Sequence, residues 1–188
     1  MNFFDSFYKK DKDQKKMNFS LEVGPHTDLE TLPPVKDVYV TMLPGGDYKE
    51  TAAKSGDLFK KGFNPVTHFP ARSILDEQQL KDFITRCKDV GTKQALVIGG
   101  SRDPIGKFDS SIQILETGFF DGIKIGIAGH PEGSQDISDK ELEKAMIDKK
   151  PYADYIVTQW LLESQPIVDF ISKQSVPVHV GITGPMKI

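Results

Sequence analysis

Five places in the 188-residue chain hold side chains able to move a proton or grip a heterocycle, each at or near the end of a strand-like run. Glu22 puts a carboxyl group in the middle of residues 18–23, NFSLEV. His68 lies near the end of residues 64–69, NPVTHF. The loop Gly99-Gly100-Ser101-Arg102-Asp103-Pro104 follows residues 94–98 and combines backbone freedom, a cation and a carboxylate. Gly129-His130-Pro131-Glu132 closes residues 123–128, and Gln159 ends residues 154–159. A carboxyl group can act as acid or base, an imidazole titrates near neutrality, and an amide both donates to and accepts from a ring edge. Together they suit proton transfer to a polar organic ligand held by hydrogen bonds.

Strand alternation decides whether these groups can meet. In residues 18–23, Phe19, Leu21 and Val23 alternate with Ser20 and Glu22. If the odd positions face surrounding helices, Ser20 and Glu22 point into a shared interior, where a carboxylate needs a partner, water or a catalytic task. As part of an exposed edge, the same strand leaves Glu22 in water. His68 reads either as a hydrogen-bonded structural histidine or as a ligand contact. The loop at residues 99–104 reads either as a ligand cradle or as an ordinary polar turn.

The stretch from Ile123 to Trp160 supplies the frame. Two apolar runs flank a polar loop and a helix-like segment, the order of a βαβ unit, and Ser138 with Glu141 forms a capping-box pattern at the helix start. In parallel α/β folds the loops leaving the carboxyl ends of the strands open onto one face and carry the chemistry. Further strand-like runs fall at residues 18–23, 37–41, 64–69, 94–98 and 177–182, with helix-like segments at 48–61, 76–90, 110–119, 138–147 and 164–174. Leu80, Phe83, Ile84 and Cys87 make an apolar helix face, and Pro44-Gly45-Gly46 leaves room for a ligand after the second strand. The expected class is α/β, a TIM-barrel-like (β/α)8 fold that is incomplete at about seven βα units, because full barrels run to about 250 residues. A second copy or a partner chain is expected to cover the open barrel edge. Residues 1–17, with Phe3, Phe4, Phe7 and Tyr8 ahead of a lysine cluster, read as an N-terminal helix or arm, and 18–188 as the barrel-like domain.

Composition narrows the chemistry. A net charge of -3 and a pI near 5.8 provide no basic stripe for nucleic acid. Cys87 is the sole cysteine, which excludes an internal disulfide and a multi-thiolate metal site. His26, His68, His130 and His179 are scattered without metal-ligand spacing, so no metal is expected. Neither a membrane span nor a signal-peptide core stands out, and a soluble cytoplasmic protein is expected. The glycine fingerprints of a Rossmann site and a phosphate loop are absent, as is a G-x-S-x-G elbow.

From Asn18 onward the motifs resemble the methylenetetrahydrofolate reductase family. They are Ser20-x-Glu22, Val40-Thr41, Val66-Thr67-His68, Ala128-Gly129-His130-Pro131-Glu132-Gly133, Asp154-Tyr155-Ile156-Val157-Thr158-Gln159 and Gly181-Ile182-Thr183-Gly184-Pro185. The proline-glutamate loop followed by the I-x-T-Q strand is the most specific pair. The resemblance implies a barrel that binds FAD at the carboxyl ends of its strands. It takes hydride from NAD(P)H and converts 5,10-methylenetetrahydrofolate to 5-methyltetrahydrofolate.

Carried over position by position, Glu22 resembles the acid that protonates the folate N10 side, and the family's catalytic aspartate is represented either by Asp103 or by nothing. Ser20 and Gln159 are implied in folate binding, Gln159 on the pterin. Thr41, His68, Gly100, Arg102, His130 and Glu132 are implied in cofactor binding. The chain departs from the pattern at His130, where the family has an aromatic residue, at Ser134, where it has a histidine, and at GGSRDP, where it usually has arginine-glycine-aspartate. Lys144, Lys149 and Lys150 are the lysines near the helix that meets the FAD phosphates. The alternatives are a flavin-independent protein that binds tetrahydrofolate or transfers one-carbon units, and a non-catalytic barrel subunit.

Overall fold

The computed structural model describes residues 18–135, 137–160 and 163–184. The arm expected over residues 1–17 lies outside the described residues. Seven parallel strands form one sheet in sequence order: β1 (Leu21–Val23), β2 (Asp37–Val40), β3 (Asn64–Pro70), β4 (Gln94–Ile98), β5 (Lys124–Gly129), β6 (Tyr155–Trp160) and β7 (Val178–Gly181). The helices are α1 (Tyr48–Lys60), α2 (Glu77–Asp89), α3 (Ser111–Leu115), α4 (Asp139–Lys149) and α5 (Ser164–Ser172). This is the α/β architecture expected, with the sheet curled into a half-barrel.

Local chemistry sets the helix starts. The side chains of Asp47 and Asp76 accept from backbone N–H groups at the heads of α1 and α2. Ser138 and Glu141 close the capping box of α4. The helix expected over residues 110–119 is shorter, ending at Leu115, because Gly118 takes φ 70° and Thr117 turns its hydroxyl onto the Ile114 carbonyl. The first strand is also shorter than its apolar alternation suggested.

The sheet buries both faces against different partners. On the convex side Val38 and Val40 pack with Leu58 of α1, and Phe69, Val97, Ile127 and Ile156 share a core with Phe83 and Leu80 of α2. Each such fully buried side chain contributes about 1.5–3 kcal/mol of transfer free energy. On the concave side Tyr39, Val66, Leu96 and Tyr155 form a separate cluster, joined by Ile98 and Val157. Gly126 is required there, since a Cβ would run into the Tyr155 ring.

One contact reports the curl. Tyr39 Oη on β2 lies 2.7 Å from Nδ1 of His179 on β7, and the His179 ring stacks on Tyr155 with centroids 4.7 Å apart. Ladder pairs carry Tyr39 through Val66, Gln94 and the foot of β5 toward the foot of β6, well below His179. The strands are therefore tilted, so that a level path around the bowl climbs along each successive strand, as in closed barrels.

β1 and β7 are the two edges. Beside β7 the apolar side chains Val168, Ile171, Val180 and Ile182 are exposed, and α5 has no buried residue. No helix among the described residues is long and apolar enough to cross a membrane.

Candidate active site

Strand β1 sends Val23 into the convex core and Glu22 to the other face, and of the two readings open for this strand it is the exposed edge that is found. Backbone pairing continues one residue past β2, with Thr41 N donating to Val23 O at 2.9 Å. This holds the Thr41 hydroxyl beside Glu22, where Oγ1 donates to Oε1 at 2.8 Å. Ser20 precedes the strand and is exposed, as is Glu22. The carboxylate thus sits on an edge strand, open to water, with one oxygen engaged.

His68, within reach of the Glu22 charge, is 4% exposed. Its ring meets Tyr39 edge-on at 5.9 Å, and Nε2 is buried with no hydrogen-bond partner. Burial drives its pKa down to about 4, against the opposing pull of the Glu22 charge. A neutral imidazole with an unused nitrogen is a group still able to accept or donate one hydrogen bond.

The loop after β4 folds back over β3. Gly100 takes φ 95° close to Pro70, and its carbonyl accepts from Arg72 Nη1 at 3.4 Å, while Arg72 Nε donates to Asp109 O. The half-buried Arg102 guanidinium approaches Gly45 of the β2 loop, 3.6 Å from where a Cβ would stand. Asp103 is exposed in the same loop. Arg72 was not among the sequence candidates; its position just past β3 is the one signal for it.

On the far rim, His130 is half-buried, and burial, together with the Lys149 charge, lowers its pKa. Gly133 N closes a turn onto His130 O at 3.1 Å. Glu132 Oε1 accepts from the backbone N–H of Glu163, at the head of α5, at 3.0 Å. Gln159 lies within an irregularity in β6 between Val157 and Trp160 and donates from Nε2 to Gly133 O at 3.1 Å. Bulges beside active sites commonly re-aim one side chain, and here the amide turns toward the β5 loop.

Between α4, α5 and this loop lies a cleft of about 620 Å³, lined among others by His130, Glu132, Met146, Lys149, Phe170 and Lys173. Lys149 is 7% exposed, and its Nζ reaches only Ala128 O, at 3.5 Å, with no acidic partner among the described residues. Burial lowers its pKa. Lys149 lies in register with Leu142 and Met146 on one face of α4, a helical spacing that marks it as inward-facing. Lys144 instead pairs with Asp148 in solvent.

The sequence candidates thus fall in three groups at the carboxyl ends of the strands. Glu22, Thr41 and His68 are together; Gly100, Arg102 and Asp103 share one loop; His130, Glu132 and Gln159 share the β5–β6 rim. Glu22 is the ladder partner of Tyr39, whose layer meets β6 at Tyr155, so Gln159 stands higher on its strand than the level of Glu22. Among the described residues, no three His, Cys, Asp or Glu side chains come close enough to hold a metal ion. No family model matches the chain.

Proposed function

We propose that the chain is a methylenetetrahydrofolate reductase-like oxidoreductase, whose sheet is the greater part of a TIM-type (β/α)8 barrel. The observation that carries this reading is the Glu22–Thr41 pair at the β1 edge, with the Gln159 amide at the carboxyl end of β6 in the same curled sheet. An acid and an amide at the carboxyl ends of one curled sheet are the two groups a reduced pterin needs. The amide binds the ring edge, and the acid serves the nitrogen that leaves the bridging carbon.

Glu22 acts as general acid. As hydride reaches the bridging methylene carbon, the bond from that carbon to N10 breaks, and N10 takes the proton from Glu22. An amine nitrogen is a poor leaving group until protonated, which is why a carboxylic acid is required. Thr41 occupies Oε1 and so leaves Oε2 as the oxygen that carries the proton. Water then reprotonates the exposed carboxylate.

Bound FAD would supply the hydride-transfer chemistry between NAD(P)H and the folate. The cleft lined by Lys149, Lys150 and Lys173 suits an anionic group, since Lys149 is buried with no ion-pair partner among the described residues, while Glu132, Asp139 and Glu143 line the same cleft. Lys149 would hold a cofactor phosphate, with Lys150 and Lys173 at the cleft wall. His68, Thr41, Gly100, Arg102, His130 and Glu132 remain the proposed surroundings of the flavin. The exposed apolar side chains beside β7 support a homo-oligomer or a partner chain covering the open edge, and a cytoplasmic location accords with the chemistry.

Purified protein is expected to be yellow, with flavin absorbance, and to oxidise NAD(P)H when given methylenetetrahydrofolate. Glu22→Gln should abolish turnover while leaving folate affinity within about tenfold, since the proton matters only in the transition state. Colourless protein that binds tetrahydrofolate would select the flavin-independent reading. Neither colour nor folate binding would leave a non-catalytic subunit.

A further inference from the structure

We propose that Glu132 is a positioning residue that sets the direction of the Gln159 amide by tying the β5 turn to the head of α5. The inference rests on the reading of Gln159 as a folate contact. An exposed glutamine has several rotatable bonds, and its amide could present either end to a ligand. In this chain Nε2 is engaged by the Gly133 carbonyl, 3.1 Å away, which directs Oε1 away from the turn. The ligand group that meets that oxygen must be a donor, such as a ring N–H or an exocyclic amino group.

Whether that selection holds depends on what fixes the Gly133 carbonyl. The turn is short, closed by Gly133 N on His130 O, and Gly133 takes φ 77°. A Cβ there would stand 3.3 Å from Asp139 Oδ1, so the turn is seated against the head of α4. On its other side, the residue just before Gly133 reaches across: Glu132 Oε1 accepts from Glu163 N at 3.0 Å. A carboxylate accepting a backbone N–H makes a charge-assisted bond, about twice as strong as a neutral one. Glu163 caps α5 without a side-chain bond of its own, so the Glu132 oxygen also serves a donor that the helix leaves open. Two cross-loop bonds, from Gln159 to Gly133 and from Glu163 to Glu132, therefore join the β5 turn to both sides of the β6–α5 connection.

The test is a double-mutant cycle read by calorimetric binding of 5-methyltetrahydrofolate to the full chain, with thermal unfolding as a check on folding. Gln159→Ala should weaken binding by about tenfold or more. Glu132→Ala, which frees the turn, should weaken it by up to about tenfold, the rotamer freedom of one glutamine. The double variant should bind no worse than Gln159→Ala alone, and Glu132→Gln, whose amide oxygen can still accept from Glu163, should restore most of the affinity. Additive losses, or full affinity in Glu132→Ala, would overturn the positioning role while leaving Gln159 a contact. Unchanged affinity in Gln159→Ala would overturn the underlying reading and the proposal with it.

Discussion

The Tyr39 hydroxyl on β2 and Nδ1 of His179 on β7 stand 2.7 Å apart, although their strands are five positions apart in the sheet. Only a strongly curled sheet brings them together, and the bond ties the curl across the bowl. Tyr39→Phe should cost about 1 kcal/mol, the net worth of one hydrogen bond whose partner is exposed and can turn to water. Combined with His179→Ala in urea titrations, the losses should fall short of additive by at least about 0.5 kcal/mol. Strictly additive losses would mean that the two side chains do not interact in solution.

Gly126 supports the same layer from β5. Its missing Cβ leaves the space that the Tyr155 ring fills, and Tyr155 in turn stacks on His179 and donates to the Ala95 carbonyl at 3.1 Å. Gly126→Ala should lower stability by about 1–3 kcal/mol through overpacking, visible as a fall in Tm. Adding Tyr155→Leu removes the ring that clashes, so the pair should be more stable than the sum of the single losses. A Gly126→Ala protein that melts like the parent would show that the ring has room to shift.

Much of this arrangement is readable from local patterns. The alternation of Leu21, Glu22 and Val23 separates Glu22 from the core face, though it does not say whether Glu22 lies in an interior or on an open edge, and the βαβ spacing around Ser138 foretold a parallel sheet, because both depend on near neighbours in the chain. The layer of Tyr39, Tyr155 and His179 was not foreseen. It depends on strand tilt, which no single strand encodes. The Arg102–Gly45 approach and the Glu132–Glu163 bond join separate loops and are silent in the sequence for the same reason. Lys149 was half visible: its spacing from Leu142 and Met146 marks an inward position, but its lack of a counter-ion is a tertiary fact.

His68 makes stability depend on pH. Its pKa is about 4 in the folded chain against about 6.5 when unfolded. Above pH 6.5 both states are neutral at this site, and its contribution is fully present. As pH falls from 6.5 through 4, the unfolded chain binds a proton that the folded one refuses, so stability drops, by up to about 3 kcal/mol. His130 and His179 shift in the same direction through burial, so the measurement is a difference between proteins. His68→Leu should flatten the loss of stability between pH 6.5 and 4. Parallel pH curves for parent and variant would show that the folded imidazole is protonated without penalty.

Lys149 should separate stability from binding. Its ammonium is buried against Ala128 O and makes no ion pair among the described residues, although Glu132, Asp139 and Glu143 line the same cleft, and burial already lowers its pKa. A buried charge without a partner is unfavourable in the ligand-free fold, and such a site persists when a bound anion makes use of it. Lys149→Met keeps the apolar stem and removes the charge. The ligand-free protein should therefore gain about 1 kcal/mol in urea titrations, while FAD affinity falls tenfold or more and the purified protein loses its yellow colour. The gain should be largest at neutral pH and shrink at alkaline pH, where the lysine is neutral in both states. A variant that is less stable without ligand, or that retains FAD, would instead make the Ala128 contact the reason for the lysine.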